Sequence, residues 1–324
     1  MRESAGRVVV AIGRGASADL PNAVRHAALE GGREADVRLL GGRDDLEAHL
    51  ADVEVLYGSL RADQVPRAAR LRWVHAGSAG VDHLPLAELA AAGITLTNAK
   101  GLHDDAMAEH ALALLLALVR HIPEAVRGQD RRAWRRYEPD ALAGSRLGIL
   151  GYGAIGRAVA LRARAFVGEI WAVHAHPRPD PLVARTFGPA RDELLTFLAG
   201  CAHMVAVLPS TPRTRGLLDA EALAALPRGA RLINIGRGSL IVEEALDAAL
   251  RSGHLGGAGL DCPPRDPLPP DSPLWTAPGV LITPHVGGLR PGTAARGMTL
   301  FAANLVRYCR GDPLENRVDL AAGY

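Results

Sequence analysis

The chain has 324 residues, of which 48% are hydrophobic and 22% are charged. This composition is typical of a globular enzyme and excludes a disordered chain, and the length favours two domains. The net charge, 37 − 35 = +2, is too small to indicate a nucleic-acid-binding or membrane-surface protein.

In chain order, apolar runs typical of strands alternate with helical patterns, which predicts parallel sheets with crossover helices. The predicted strands are Arg7–Ile12, Asp36–Leu40, Val53–Leu56, Leu71–Val74, Ile94–Thr97, Leu147–Leu150, Ile170–Val173, Met204–Leu208, Arg231–Ile235, Gly257–Leu260 and Val280–Thr283. The predicted helices include Leu20–Glu30, Asp105–His121, Ala154–Phe166, Val242–Ser252 and Thr293–Arg310.

Two boundaries divide these elements, one near Asn98–His103 and one at the Gly/Pro-rich stretch Gly287–Gly292. We predict a dinucleotide-binding domain over residues 101–289, inserted into a substrate domain formed by residues 1–100 and 290–324. The C-terminal helix would return to pack on the first part. The predicted fold class is α/β, with two doubly wound parallel-sheet domains: a Rossmann domain inserted into a flavodoxin-like domain.

The three cysteines, Cys201, Cys262 and Cys309, are far apart and form no C-x-x-C unit. They predict neither a disulfide framework nor a zinc site, and they fit a reducing compartment. The first six residues lack the apolar core of a signal peptide, and the apolar run from Ala111 to Val119 is too short to cross a bilayer. We therefore expect a cytoplasmic protein without a bound metal.

A glycine-rich turn, Gly151-Tyr152-Gly153-Ala154-Ile155-Gly156, joins a predicted strand to a predicted helix. The first glycine permits the tight turn, the second lets the backbone approach a pyrophosphate, and the third lets helix and strand pack closely. The helix N-terminus presents N–H groups to the phosphates. This context favours a dinucleotide site over a merely structural turn.

The residues after the next strand should select the cofactor, because NAD enzymes place an acidic residue there on the ribose 2′-hydroxyl. No carboxylate stands at this strand end, and Asp180 comes late. His174, His176 and Arg178 could instead contact a 2′-phosphate. Alternatively, they are solvated loop residues and NAD binds without the usual carboxylate. We expect NADP rather than NAD.

Further polar residues follow predicted strands, where α/β folds bind ligands. Arg237 could grip a carboxylate and polarise a carbonyl, and His285 could donate a proton to a carbonyl oxygen as hydride arrives. Asp266 beside it would fix the imidazole tautomer, and Asp261 could hold the nicotinamide carboxamide. Singly, Arg237 could be a surface residue, His285 structural and Asp266 part of a turn; their shared position favours an active site.

With these residues identified, the chain resembles the D-isomer-specific 2-hydroxyacid dehydrogenases, which include glyoxylate/hydroxypyruvate reductases and phosphoglycerate dehydrogenases. The resemblance is close from about Val74 to Gly288. It depends on the glycine-rich turn and on the motifs Ala79-Gly80-Val81-Asp82-His83, Asn98 with Ala108-Glu109-His110, Leu208-Pro209-Ser210-Thr211-Pro212, Arg237-Gly238 and Pro284-His285.

The resemblance implies that Arg237 orients a 2-oxo acid and that His285 is the acid/base with Asp266 as its carboxylate partner. It also implies that backbone N–H groups of Ala79 and Gly80 bind the substrate carboxylate. To the cofactor site we further assign Leu208, Pro209 and Gly287.

One departure concerns the carboxylate partner, which in the family is normally a glutamate. Here Asp266 takes that position, and Pro264 stands where the family motif has another glutamate. Aspartate is shorter by one C–C bond, about 1.5 Å. We therefore expect the loop to lie further inward, with activity retained.

The stretch Asp130-Arg131-Arg132-Ala133-Trp134-Arg135-Arg136-Tyr137 interleaves basic and aromatic residues. Such a pattern can bind nucleic acid, but it is short here and the overall charge is nearly balanced. A solvated face is one interpretation, and a substrate phosphate site is another. A solvated face or a dimer arm is favoured over the phosphate site, since family members resemble intertwined dimers in this region. We expect a homodimer that binds neither nucleic acid nor membrane.

The sequence therefore predicts an oxidoreductase that transfers hydride between NAD(P)H and a small 2-oxo acid such as glyoxylate or hydroxypyruvate. The alternative is a dinucleotide-sensing regulatory protein on the same scaffold without significant turnover. An amino-acid dehydrogenase would require a catalytic lysine, and Lys100 is poorly placed for that role.

Overall fold

The computed structural model describes residues 6–13, 19–41 and 44–324. The chain divides into two compact units. One comprises Met1–His103 with Arg290–Tyr324, and the other comprises Asp104–Leu289. The N-terminal residues on which the signal-peptide expectation depends lie largely outside the described residues.

The strands of the described chain are β1 (Val8–Ile12), β2 (Ala35–Leu39), β3 (Val55–Tyr57), β4 (Trp73–His75), β5 (Thr95–Thr97), β6 (Arg146–Leu150), β7 (Glu169–Val173), β8 (Arg185–Phe187), β9 (His203–Ala206), β10 (Ala230–Asn234), β11 (Leu255–Leu260) and β12 (Val280–Ile282). The α-helices are α1 (Leu20–Glu30), α2 (Leu86–Ala91), α3 (Asp104–Val119), α4 (Ile122–Asp130), α5 (Ala154–Ala163), α6 (Arg191–Ala199), α7 (Ala220–Ala225), α8 (Glu243–Arg251) and α9 (Thr293–Arg310).

In the first unit, five parallel strands form a sheet in the order β2-β1-β3-β4-β5, which is the flavodoxin-like order. Every residue of β1 is buried, as expected for a parallel strand covered on both faces. The C-terminal helix α9 packs against α1. Its Phe301 ring lies 5.1 Å from the Trp73 ring of β4, so this helix returns to the first sheet as predicted.

In the second unit, seven parallel strands have the order β12-β11-β10-β9-β6-β7-β8. The strand order reverses between β6 and β9, since β6 pairs with β7 on one side and with β9 on the other. Such a switch point is where doubly wound sheets bind dinucleotides, beyond the carboxyl ends of the strands. The two parallel sheets confirm the predicted α/β fold class.

Several elements differ from the sequence-based prediction. Strand β8 was not predicted, because its sequence Arg-Thr-Phe contains one apolar residue, Phe187, and therefore no apolar run. The helix predicted over Asp105–His121 ends at Val119, because His121 adopts a left-handed conformation (φ 54°) from which α4 starts. Helix α5 ends at Ala163 rather than Phe166.

Within the described residues, no single helix is long and apolar enough to span a membrane. Helices α3 and α4 reach that length and composition only together, and they meet at a 67° bend. Helix α3 packs against α5, β10 and β11.

Candidate active site

The glycine-rich turn lies between β6 and α5, at the switch point of the second sheet. Gly151 adopts φ +111°, a conformation that favours glycine, and a Cβ at Gly156 would lie 2.2 Å from the carbonyl oxygen of Gly151. At Gly153, by contrast, a Cβ would meet nothing within 4 Å. Among the residues that the structure describes, no side chain caps the N-terminus of α5. This open backbone surface beside unpaired N–H groups fits a dinucleotide pyrophosphate.

The loop after β7 contains the residues predicted for a 2′-phosphate. Nδ1 of His174 lies 2.7 Å from the carbonyl oxygen and 3.0 Å from the backbone nitrogen of His176, so the His174 ring stabilises the turn itself. The side chains of His176 and Arg178 are exposed. A cationic group is therefore available to a ligand at Arg178.

The late carboxylate of this loop, Asp180, is engaged by protein groups. Its Oδ2 accepts a hydrogen bond from Nε of Arg157 (2.9 Å) and its Oδ1 accepts one from the backbone N–H of Leu182 (2.9 Å). These two donors, the backbone N–H foremost, lower the pKa of Asp180. Burial raises the pKa of the nearby Tyr152 phenol to about 12, so this hydroxyl is neutral.

The loop that carries Arg237 follows β10 and is held by hydrogen bonds from Asn234, the last residue of that strand. Nδ2 of this fully buried asparagine donates to the carbonyl oxygens of Arg237 (3.1 Å) and Cys262 (2.7 Å). A Cβ at Gly238 would lie 1.8 Å from the carbonyl oxygen of Pro263. The Arg237 loop therefore packs directly on the loop after β11, and only glycine permits this approach.

The Leu208–Pro209 segment follows β9 on the other side of the Arg237 loop. A Cβ at Gly236 would lie 2.8 Å from the carbonyl oxygen of Leu208. The Ser210 and Ser239 hydroxyls are 2.9 Å apart, and Thr214 donates to the carbonyl oxygen of Pro209 at 2.6 Å. The loops after β9, β10 and β11 thus form one contiguous edge.

Asp266 and His285 are in direct contact. Nδ1 of His285 lies 2.6 Å from Oδ2 of Asp266, and both side chains are partly exposed, at 50% and 40%. An ionised carboxylate only accepts hydrogen bonds, so Nδ1 carries the proton and Nε2 is the ring atom left for a ligand. The shorter aspartate therefore does reach the imidazole.

Glu243 of α8 holds the Asp266 loop through hydrogen bonds. Arg265 donates to both carboxylate oxygens of Glu243, at 2.7 and 2.9 Å, and the Ser272 hydroxyl donates to the same carboxylate at 2.6 Å. The hydrogen bond from Arg265 is the main cause of a lowered pKa at Glu243. The residue preceding Asp266 is thus fixed by an ion pair.

Asp261 and Gly287 lie beneath the His285 loop. The Asp261 side chain is fully buried, and its carboxylate accepts hydrogen bonds from the backbone N–H groups of Val286 (3.0 Å) and Gly287 (2.9 Å). Asp261 and Gly287, which the sequence analysis both assigned to the cofactor site, are therefore hydrogen-bonded to each other.

In the first unit, Ala79 and Gly80 follow β4. Their carbonyl oxygens accept hydrogen bonds from Asn98 Nδ2 and Ser78 Oγ, both at 2.7 Å. Within the described part of the chain, their own N–H groups donate to no acceptor. This geometry suits a backbone site for an anionic oxygen.

Comparison with known proteins identifies the family. The model for "D-isomer specific 2-hydroxyacid dehydrogenase, NAD binding domain" matches residues 112–287, more than half of the chain. The chain belongs to the D-isomer-specific 2-hydroxyacid dehydrogenase family. The resemblance inferred from the sequence motifs is thereby confirmed.

Relatives in this family carry two enzyme names. The chain is 34% identical over 257 residues to the glyoxylate reductase/hydroxypyruvate reductase of Mus musculus, covering 78% of each chain. It is 32% identical over 300 residues to the D-3-phosphoglycerate dehydrogenase of Mycobacterium bovis, covering 90% of this chain but 56% of that one. The chain thus spans little more than half the length of the mycobacterial relative.

Among solved structures of the 2-hydroxyacid dehydrogenase family, one similar chain is the NADPH-dependent glyoxylate/hydroxypyruvate reductase of Sinorhizobium meliloti, in complex with NADP and sulfate. The TM-score is 0.81 at 30% identity, and the match covers 98% of this chain and 100% of that one.

Sequence reasoning assigned no role to four residues that support the site: Asn234, Glu243, Thr283 and His110, the last of which it had noted only as part of a family motif. Asn234 precedes the Arg237 loop by only three positions and could have been found as a polar residue at the end of an apolar strand. The others make contacts across 22 to 173 positions of the chain, and no local pattern signals such contacts.

Proposed function

We propose that this member of the 2-hydroxyacid dehydrogenase family is an NAD(P)H-dependent reductase of a small 2-oxo acid. The observation that carries the proposal is the contact between Nδ1 of His285 and Oδ2 of Asp266. It holds an imidazole in one tautomer, with Nε2 as the acid, on the edge of a sheet whose glycine-rich turn fits a dinucleotide.

When bound, reduced nicotinamide would supply the hydride that the carbonyl carbon of the substrate needs. Nε2 of His285 delivers a proton to the carbonyl oxygen, so that the product is a 2-hydroxy acid. Asp266 stabilises the imidazolium before the proton leaves and keeps the ring oriented. Arg237 binds the substrate carboxylate and polarises the adjacent carbonyl. In the first unit, we propose that the N–H groups of Ala79 and Gly80 bind an anionic oxygen.

We further propose NADP as the preferred cofactor. Asp180, the acidic residue after β7, is already bonded to Arg157 and Leu182, which disfavours a new contact with a ribose hydroxyl. Arg178 is exposed in the same loop and suits a 2′-phosphate. The Sinorhizobium relative is named as NADPH-dependent, which agrees with this choice.

Glyoxylate and hydroxypyruvate are the substrates we propose, on the basis of the names of the mouse and Sinorhizobium relatives. Both are small 2-oxo acids whose single carboxylate suits one arginine.

The homodimer is also a proposal. Helix α4 has no buried residue, and the side chains of Ile122, Val126, Trp134 and Tyr137 are 49%, 52%, 95% and 44% exposed. Several exposed apolar side chains in one segment are typical of an interface. Sedimentation should give the mass of two chains, and Trp134→Ser should shift it towards one chain.

The function is tested by mixing the protein with NADPH and a panel of 2-oxo acids while following nicotinamide absorbance. Loss of absorbance with glyoxylate or hydroxypyruvate supports a reductase. Tight NADPH binding without turnover of any 2-oxo acid would instead support the dinucleotide-sensing alternative.

A further inference from the structure

A chain of polar side chains connects helix α3 to the loop that carries His285. Nε2 of His110 lies 2.9 Å from Oγ1 of Thr283, and this hydroxyl lies 2.7 Å from Oδ1 of Asp261. His110 is 20% exposed and Asp261 is fully buried. The three side chains thus form one hydrogen-bonded path from the helix to the base of the loop.

The direction of these hydrogen bonds follows from the proton inventory of each group. The carboxylate of Asp261 can only accept, so the single hydroxyl proton of Thr283 is directed to it. Oγ1 of Thr283 must then accept from His110, and Nε2 of His110 carries a proton. Nε2 also lies 3.3 Å from Oδ1 of Asp261, which places a second donor near the buried carboxylate.

The other side of Asp261 holds the backbone around His285. Its carboxylate accepts from the N–H groups of Val286 and Gly287, and its carbonyl oxygen accepts from the N–H of His285 at 3.1 Å. A Cβ at Gly287 would lie 2.8 Å from Oδ2 of Asp261 and 2.9 Å from Cδ2 of His110. The loop is therefore fitted closely onto both side chains.

This attachment matters because His285 adopts a left-handed conformation, φ +54°. Non-glycine residues rarely adopt it, and it persists only where the surroundings fix it. The direction of the imidazole depends on this backbone, and a shift of about 1 Å in a catalytic group can reduce the rate roughly a hundredfold.

We propose that His110 and Thr283 are positioning residues, which fix the His285 imidazole by orienting the buried carboxylate of Asp261. Asp261 then acts by holding the loop, through the hydrogen bonds that it accepts from Val286 and Gly287. The inference depends on the proposed reductase activity, in which His285 is the proton donor.

The first test replaces the Thr283 hydroxyl in two ways. Thr283→Val keeps the shape and removes both hydrogen bonds, and we expect kcat to fall roughly 10- to 100-fold with NADPH affinity unchanged. Thr283→Ser keeps the hydroxyl and should restore kcat to within about threefold of the wild type. Thr196→Val is the matched control, because its exposed hydroxyl donates to the carbonyl oxygen of Asp192 within α6 (2.9 Å).

The second test changes the donor on α3 and covers the case in which Thr283→Val fails to fold. His110→Phe retains a ring of similar shape without the N–H, whereas His110→Gln retains a donor. We expect the phenylalanine variant to lose kcat and the glutamine variant to recover most of it. Equal kcat in His110→Phe and wild type would overturn the proposal, as would equal losses in Thr283→Val and Thr283→Ser.

A readout without turnover separates this proposal from the proposed function. The ring signals of His285, assigned by their absence in His285→Gln, can be followed by NMR. We expect them to move in Thr283→Val and His110→Phe but not in Thr196→Val. If the His285 signals move but the protein turns over no 2-oxo acid, the proposed reductase function is rejected and the positioning role of His110 and Thr283 is kept. If the signals do not move in an active enzyme, only the positioning role is rejected.

Discussion

Nε of Arg157 lies 2.9 Å from Oδ2 of Asp180, and this ion pair ties the late carboxylate after β7 to the first turn of α5. With Asp180 so engaged, the exposed Arg178 is the group in this loop that we expect to select the cofactor.

Arg178→Ala should therefore weaken NADPH binding by about tenfold or more, the usual effect of losing a hydrogen bond to a charged group. NADH binding should change little. Fluorescence titration with both nucleotides measures the ratio, and Arg164→Ala, at the far end of α5, controls for the lost charge. Unchanged NADPH affinity in Arg178→Ala would remove this side chain from the site.

The pyrophosphate site can be tested at Gly153, whose Cβ direction is open. Its backbone (φ −88°, ψ −156°) is accessible to alanine, so Gly153→Ala should retain the thermal stability of the wild type. The added methyl would occupy the space in which we place the pyrophosphate, and affinity for both nucleotides should fall by at least about tenfold.

Gly156→Ala serves as the contrasting variant, because its Cβ would lie 2.2 Å from the carbonyl oxygen of Gly151. It should lower the melting temperature as well as the affinity. If Gly153→Ala bound both nucleotides normally, the pyrophosphate would have to bind elsewhere.

The carboxylate of Asp266 should matter through its charge and its hydrogen bond to His285. Asp266→Asn is expected to reduce kcat by roughly a hundredfold or more, because an amide can present a donor to Nδ1 and favour the wrong tautomer. Asp266→Glu retains the carboxylate and should keep a larger share of the activity. Similar kcat values for Asp266→Asn and wild type would show that the contact is not used in catalysis.

Two buried histidines should make the fold sensitive to acid. Burial lowers the pKa of His75, in the first unit, and of His203, in the second, from 6.5 to about 4 in each case. The unfolded chain then binds more protons than the folded chain between these values. The contribution of the two neutral histidines to the free energy of unfolding is therefore fully present above about pH 6.5 and is lost as the pH falls towards about 4.

Between about pH 7 and about pH 5, each histidine should lower the free energy of unfolding by roughly 2 kcal/mol. Urea unfolding at several pH values measures this slope. His203→Phe removes one titrating group and should make the slope of its unit shallower. An unaltered slope in this variant would exclude His203 as a cause.

Much of the fold could be predicted from the sequence, because long buried strands produce a strong signal. The helices Leu20–Glu30 and Thr293–Arg310 have the predicted bounds. Strand β8 has one apolar residue, Phe187, and the break at His121 depends on a backbone angle that composition does not reveal. Strands without an apolar run and chain reversals depend on tertiary contacts.

For the site, the sequence predicted a carboxylate partner for His285 at Asp266, and the structure brings the two together. It did not predict that His174 bonds to its own turn, since this depends on a backbone conformation. Nor did it predict the hydrogen bond between His110 and Thr283, which are 173 positions apart. Such contacts are determined by how α3 packs on the sheet.

The most direct test of the central claim uses NADPH carrying deuterium at both C4 positions, with glyoxylate, hydroxypyruvate or a related 2-oxo acid. Analysis of the product by mass spectrometry and chiral chromatography should find one deuterium at C2 of the 2-hydroxy acid. With hydroxypyruvate or another substrate that gives a chiral product, the configuration should be D, and none should form with His285→Gln. A product without deuterium at C2, or turnover that survives His285→Gln, would contradict the account.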